Sequence, residues 1–112
     1  MKYFMDEQKR RSSHSSCYFE FQKGRYHDAC WLPGSISIHA DAFDSLGLYD
    51  LIASVVPAFN YYGLTEISPK DWDSIRCRAR SAGGEAEAAI MEADPWVQET
   101  FAQEQVFTIC GI

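Results

Sequence analysis

The chain has 112 residues and a mass of 12.7 kDa, enough for one domain and too little for two. With 46% hydrophobic and 23% charged residues and a mean hydropathy of -0.28, its composition is that of a folded globule and excludes disorder of the whole chain. The net charge is -6, no run approaches the roughly 18 apolar residues of a membrane span, and the first residues lack the charge-then-apolar order of an export signal, so a membrane, export and a bare phosphate backbone are all poor expectations.

Residues 2–5 read as a short strand, and the polar run 8–16 as a flexible loop. From Cys17 the pattern alternates: in Tyr18-Phe19-Glu20-Phe21-Gln22 the two phenylalanines share a face, as in a half-buried strand. Lys23-Gly24 supplies a tight turn, which predicts that residues 25–32 return as a second strand. Leu32-Pro33-Gly34-Ser35 is a turn again, and residues 35–40 alternate with Ile36, Ile38 and Ala40 on one side. Three strands joined by short turns make an antiparallel meander.

At Asp41 the period lengthens to that of a helix. Asp41 is placed as its N-cap, and Phe43, Leu46, Leu51, Ile52, Val55, Val56 and Phe59 form one apolar stripe. Gly47 is a natural break in that stretch and Pro57 its end, followed by a corner at Asn60-Tyr61-Tyr62-Gly63 and an extended segment at 64–67. Ser68-Pro69-Lys70-Asp71 is the clearest local signal: a cap, a proline preset for the first helical position, and an acid in the first turn. The helix it opens buries Trp72, Ile75 and Ala79, and Ser81-Ala82-Gly83-Gly84 ends it. Residues 85–92 are helical, Asp94-Pro95 reads as a fresh cap, and residues 105–110 form a last apolar strand. The expected fold class is α+β, with an antiparallel sheet built from the N-terminal meander and the C-terminal strand, and three to four helices packed on one side. Residues 1–112 form a single domain.

Charge is unevenly placed along this chain. Residues 81–112 carry Glu85, Glu87, Glu92, Asp94, Glu99 and Glu104 with no Lys or Arg, and residues 41–68 carry Asp41, Asp44, Asp50 and Glu66, also without a base. Such a surface attracts a cationic protein and speeds the encounter. Cys17, Cys30, Cys77 and Cys110 are spread without a CxxC pair, which points to reduced thiols in the cytoplasm. His27, Asp28 and Cys30 are the one group with the composition of a thiol nucleophile and its base. On a strand His27 and Cys30 would point to opposite faces, which argues against a dyad, and the spacing also fails as a zinc site. Gly83-Gly84 lacks the strand and the Lys-Ser/Thr of a phosphate loop. No cofactor or metal is expected, and Trp31, Trp72 and Trp96 fit core positions.

The run from Phe59 through Asn60-Tyr61-Tyr62-Gly63-Leu64-Thr65-Glu66-Ile67 into Ser68-Pro69-Lys70-Asp71-Trp72-Asp73-Ser74-Ile75, together with Asp94-Pro95-Trp96, Phe101 and the ending Val106 to Ile112, resembles small cytoplasmic immunity proteins of bacterial toxin systems, particularly of contact-dependent growth inhibition. The likeness spans residues 59–112 and contains no catalytic motif. It implies a protein that is not an enzyme and that binds a cognate toxin domain, commonly a basic nuclease, and blocks its active site. Charge placement alone nominates Glu85, Glu87, Glu92, Asp94 and Glu99 for that contact, with Asp41 and Asp44 after them. The competing readings are another protein-interaction or regulatory module of the same fold class and, behind it, a small thiol enzyme built on Cys30 and His27.

Overall fold

The alternation in the first long strand decides which side of the sheet becomes the core. In the computed structural model, which describes residues 1–112, Phe19 and Phe21 of β2 (Tyr18–Lys23) point to one face and are fully buried. Phe19 lies opposite Ile38 of β3 (Ile36–His39), and Phe21 lies between Ile36 and Ile109 of β5 (Phe107–Cys110). Two short strands flank this trio, β1 (Phe4–Asp6) and β4 (Leu64–Ile67), giving five antiparallel strands in the order β1-β3-β2-β5-β4. Phe4, Ile67 and Phe107 complete an apolar face whose rings touch edge-on or tilted, with centroids 5.1 Å apart for Phe21 and Phe107. Each such ring taken out of water contributes about 1.5–3 kcal/mol.

Four helices cover that face: α2 (Ala40–Ser45), α3 (Leu48–Ala53), α4 (Pro69–Ala82) and α5 (Gly84–Phe101). The Ser68 signal is realised in full, because its hydroxyl accepts the Asp71 N–H while the Asp71 carboxylate accepts the Ser68 N–H. Trp72, Ile75 and Ala79 are buried as their spacing requires. The Trp72 ring stands edge-on to Phe107, and its Nε1–H donates to Asp94 Oδ1 at 2.8 Å, which ties α4 to α5. Helices α4 and α5 are separated at the glycine pair, as expected.

Several expectations need correction. Asp94-Pro95 opens no new helix: Pro95 sits inside α5, whose buried positions Ala89, Ile90, Ala93, Val97 and Thr100 continue through it. A mid-helix proline costs about 3 kcal/mol, and burial on both sides of it outweighs that loss. The helix after β3 begins two residues early, so His39, whose Nδ1 accepts the Asp41 N–H, is the cap and Asp41 is not. The 41–59 stretch divides at Gly47, the break its sequence marked, and α3 ends at Ala53, ahead of Pro57.

The largest departure is residues 25–32, which form no strand. Asp28 and Trp31 take φ of +62° and +61°, values a strand cannot hold. The connection from β2 to β3 is therefore a long loop, and β1, not a returning hairpin strand, fills the far side of β3. Part of the polar run 8–16 is also ordered, as α1 (Glu7–Ser12). Asp6 caps it through the Lys9 N–H, and Glu7 at its start with Lys9, Arg10 and Arg11 at its end suit the helix dipole. Glu7 and Arg10 pair out of solvent, and the Arg10 guanidinium lies 4.1 Å from the centre of the Trp31 ring.

Four helices therefore pack on one side, as expected, while helix α1 and the 24–35 loop close the second face of the sheet. Beneath them Glu20, Gln22, Ser37 and Thr108 are buried although polar. Glu20 explains how: its carboxylate accepts the N–H groups of Trp31 (2.7 Å) and Leu32 (2.8 Å) and the Gln22 side-chain amide (3.0 Å), and Gln22 also donates to the Ala29 carbonyl (2.8 Å). The loop's polar groups satisfy the Glu20 carboxylate and the Gln22 NH2 group, which permits burial on both faces, and only the Gln22 Oε1 atom is left there without a partner.

Candidate partner-binding surface

The acids nominated on α5 do not form one open surface. Glu85, Glu92 and Glu99 recur every seven residues and so share a stripe. Its first two positions face the N-terminal segment. Glu92 accepts the N–H groups of Lys2 (2.7 Å), Tyr3 (2.9 Å) and Phe4 (2.7 Å), closing the outer edge of the sheet. Burial pushes the Glu92 carboxyl up, but the N–H groups of Phe4, Lys2 and Tyr3 together outweigh it and hold the group below the usual carboxylate range. Asp94 is engaged by Trp72 and by the Gln98 amide, with Arg76 3.7 Å away. Glu85 receives the Tyr3 hydroxyl and, like Glu99, faces a lysine at 3.8 Å in the open (Lys2 and Lys23 respectively), while Glu87 is half-buried. Exposed pairs of that kind hold little energy, so Glu85 and Glu99 remain accessible to a partner, whereas Glu92 and Asp94 are committed to the fold.

The second acidic stretch is arranged differently. Helix α2 presents Asp41 and Asp44 to solvent beside the corner at residues 60–63, and Asp50 is exposed on α3. That corner is pinned at two points: the Gly111 N–H donates to the Gly63 carbonyl (2.7 Å) and the Ile112 N–H to the Tyr61 carbonyl (2.9 Å). It projects Tyr62, which is 77% exposed, next to Leu64 at 49%. Tyr61 stacks edge-on against Phe19 of the core on one side and against Tyr49 and Tyr62 on the other, with centroids 5.0, 5.8 and 4.9 Å away. Its hydroxyl donates to both Asp44 oxygens, at 3.0 and 2.9 Å. Desolvation and this bond push the Tyr61 phenol up to about 12, so the hydroxyl stays a donor across the physiological range.

These contacts make a rigid patch: three tyrosine rings in sequence, anchored on the core at Phe19, with carboxylates at the rim. Between Arg25 and Lys70 the chain contains no Lys or Arg at all. Ring faces and carboxylates together attract a guanidinium or ammonium group, the first through its quadrupole and the second through charge. Asp41 and Asp44 were legible as candidates from charge. The tyrosines were not, because the Asn-Tyr-Tyr-Gly run reads only as a turn, although paired aromatics at a turn tip are themselves a signal of exposure.

His27 and Cys30 have different neighbours in the fold. His27 lines a shallow cavity with Arg25, Gln103, Glu104, Gln105 and Val106, whereas the Cys30 thiol lies 3.9 Å from the Tyr26 hydroxyl. Cys110 is buried as its apolar surroundings predict. No helix is long and apolar enough to cross a membrane. Comparison with family models, with curated proteins and with solved structures finds no match.

Proposed function

We propose that the chain is a binding protein that docks on a basic protein domain and blocks it, in the manner of an immunity protein held against its toxin. The observation that carries this reading is the patch of Tyr49, Tyr61 and Tyr62 with Asp41 and Asp44, on a stretch of sequence without Lys or Arg. Tyrosine supplies large contact area with little rotamer entropy to lose, which is why it dominates the energetic centres of interfaces. The acids steer a cationic partner to that centre. The resemblance of residues 59–112 to toxin immunity proteins supports the same reading, since the tyrosine corner lies inside the resembling segment. A basic nuclease domain is the partner this chemistry fits, because a surface that holds phosphate is rich in Arg and Lys.

Titration calorimetry against the protein encoded beside its gene tests the proposal. The expected result is a tight complex that suppresses the neighbour's toxicity. Tyr62→Ala and Asp41→Lys should each weaken it by roughly tenfold or more, with the unfolding midpoint unchanged because both side chains are solvent-exposed. A complex indifferent to both substitutions would remove this patch as the interface. No complex, with unabated toxicity, would remove the function.

A further inference from the structure

The 24–35 loop is clamped to the sheet on both sides of Cys30. Ala29 accepts the Gln22 amide and Trp31 donates its N–H to Glu20, at 2.8 and 2.7 Å. Gln22 and Glu20 are alternate residues of β2, so a single strand holds both neighbours of Cys30. Across the ladder Glu20 stands opposite Cys110, and Gln22 opposite Thr108. The two clamps therefore set Cys30 over the row that contains Cys110, close enough for its thiol to bear on that of Cys110. Cys30 is open to solvent and Cys110 is buried beneath the loop. The other two cysteines lie elsewhere, Cys17 ahead of β2 and Cys77 on α4 across the sheet.

We infer that Cys30 and Cys110 are a reversible redox pair whose disulfide ties the 24–35 loop to β5. The oxidant is a low-molecular-weight disulfide, with glutathione disulfide as the probe. The Cys30 thiolate attacks one sulfur of the probe: a bond forms between Cys30 and glutathione, the probe's S–S bond breaks, and one glutathione leaves as its thiolate. Cys110 then releases its proton to water and its sulfur attacks the Cys30 sulfur, expelling the second glutathione thiolate. Both released thiolates take up protons, so two protein thiols are oxidised and one probe disulfide is reduced to two thiols.

Burial, the nearby Glu20 and the Cys30 thiol push the Cys110 thiol up to about 12. The second step is therefore the slow one at neutral pH, and a mixed disulfide at Cys30 precedes the internal bond.

The full-length chain, incubated with glutathione disulfide, alkylated and digested without reductant, is read by mass spectrometry. The expected product joins the peptides of Cys30 and Cys110, disappears in Cys30→Ser, persists in a Cys17→Ser/Cys77→Ser double variant, and is reversed by dithiothreitol. Hydrogen exchange at the Trp31 and Leu32 amides should slow by roughly tenfold on oxidation, since loop opening is then restricted. Glutathione that stays on Cys30 at equilibrium, links from Cys30 to Cys17 or Cys77, or a 30–110 link without slowed exchange would each overturn the inference.

Discussion

Replacing Glu20 by glutamine should open the loop while leaving the shape of the side chain intact. Glu20 is 1% exposed, and its two oxygens accept the N–H groups of Trp31 and Leu32, with the Gln22 amide as a third donor. Opposing this capture is the backbone of Trp31 at φ +61°, a left-handed conformation that costs a bulky residue about 1–2 kcal/mol. A hydrogen bond to a charged acceptor contributes about 1.5–3 kcal/mol. Glutamine offers one oxygen only, so one of the two backbone N–H groups must then face an amide NH2, donor against donor. Losing one charged bond and gaining that clash should cost about 2–3 kcal/mol, which is a roughly 30- to 150-fold rise in loop opening. Native-state hydrogen exchange at the Trp31 and Leu32 amides measures the opening, and urea unfolding measures the total loss. Unchanged protection at both amides with an unchanged midpoint would refute the idea that Glu20 holds the loop.

The edges of the sheet offer two further perturbations. In Glu92→Gln the N-terminal segment loses its charged acceptor, and the cost depends on pH in a defined direction. Because the folded-state carboxyl is held below its ordinary value, its contribution is complete above the unfolded-state pKa and is lost as pH falls through the lowered folded value. The stability gap between wild type and Glu92→Gln should be constant near neutrality and shrink in acid; a gap that widens in acid would contradict this sign. In Gly111→Ala the new Cβ runs into the Tyr61 carbonyl, backbone that Ile112 also pins. Overpacking of this kind costs about 1–3 kcal/mol, a fall of roughly 4–15 °C in Tm by scanning calorimetry. An unchanged Tm would show that the corner yields.

Where local chemistry is strong, the fold is legible in the sequence. The Ser68-Pro69-Lys70-Asp71 cap, the buried spacing of Trp72, Ile75 and Ala79, and the paired phenylalanines of β2 each depend on a few adjacent residues, and each is realised. Pro95 misleads because the same two residues, Asp-Pro, suit a helix start and are tolerated in a helix interior once flanking burial outweighs the missing N–H. The 25–32 segment misleads for a related reason. Gly24 turns the chain, but the residues beyond it are held by Glu20 and Gln22, and a loop that bonds to side chains leaves no periodic trace. The candidate site divides in the same way. Glu92 and Asp94 look like surface acids in the sequence and prove to be internal acceptors, because their partners are 88 to 90 residues away for one and 22 for the other.

From its residues alone this chain was bound to be a small α+β domain of acidic charge, since composition, hydrophobic period and capping act over one or two turns of chain. Tertiary structure alone decided which acids remain free, which tyrosines stand in the open and why a glutamate is buried under the loop. Those outcomes depend on hydrogen bonds and ring contacts between residues far apart in sequence, and such partners become neighbours only when the sheet closes.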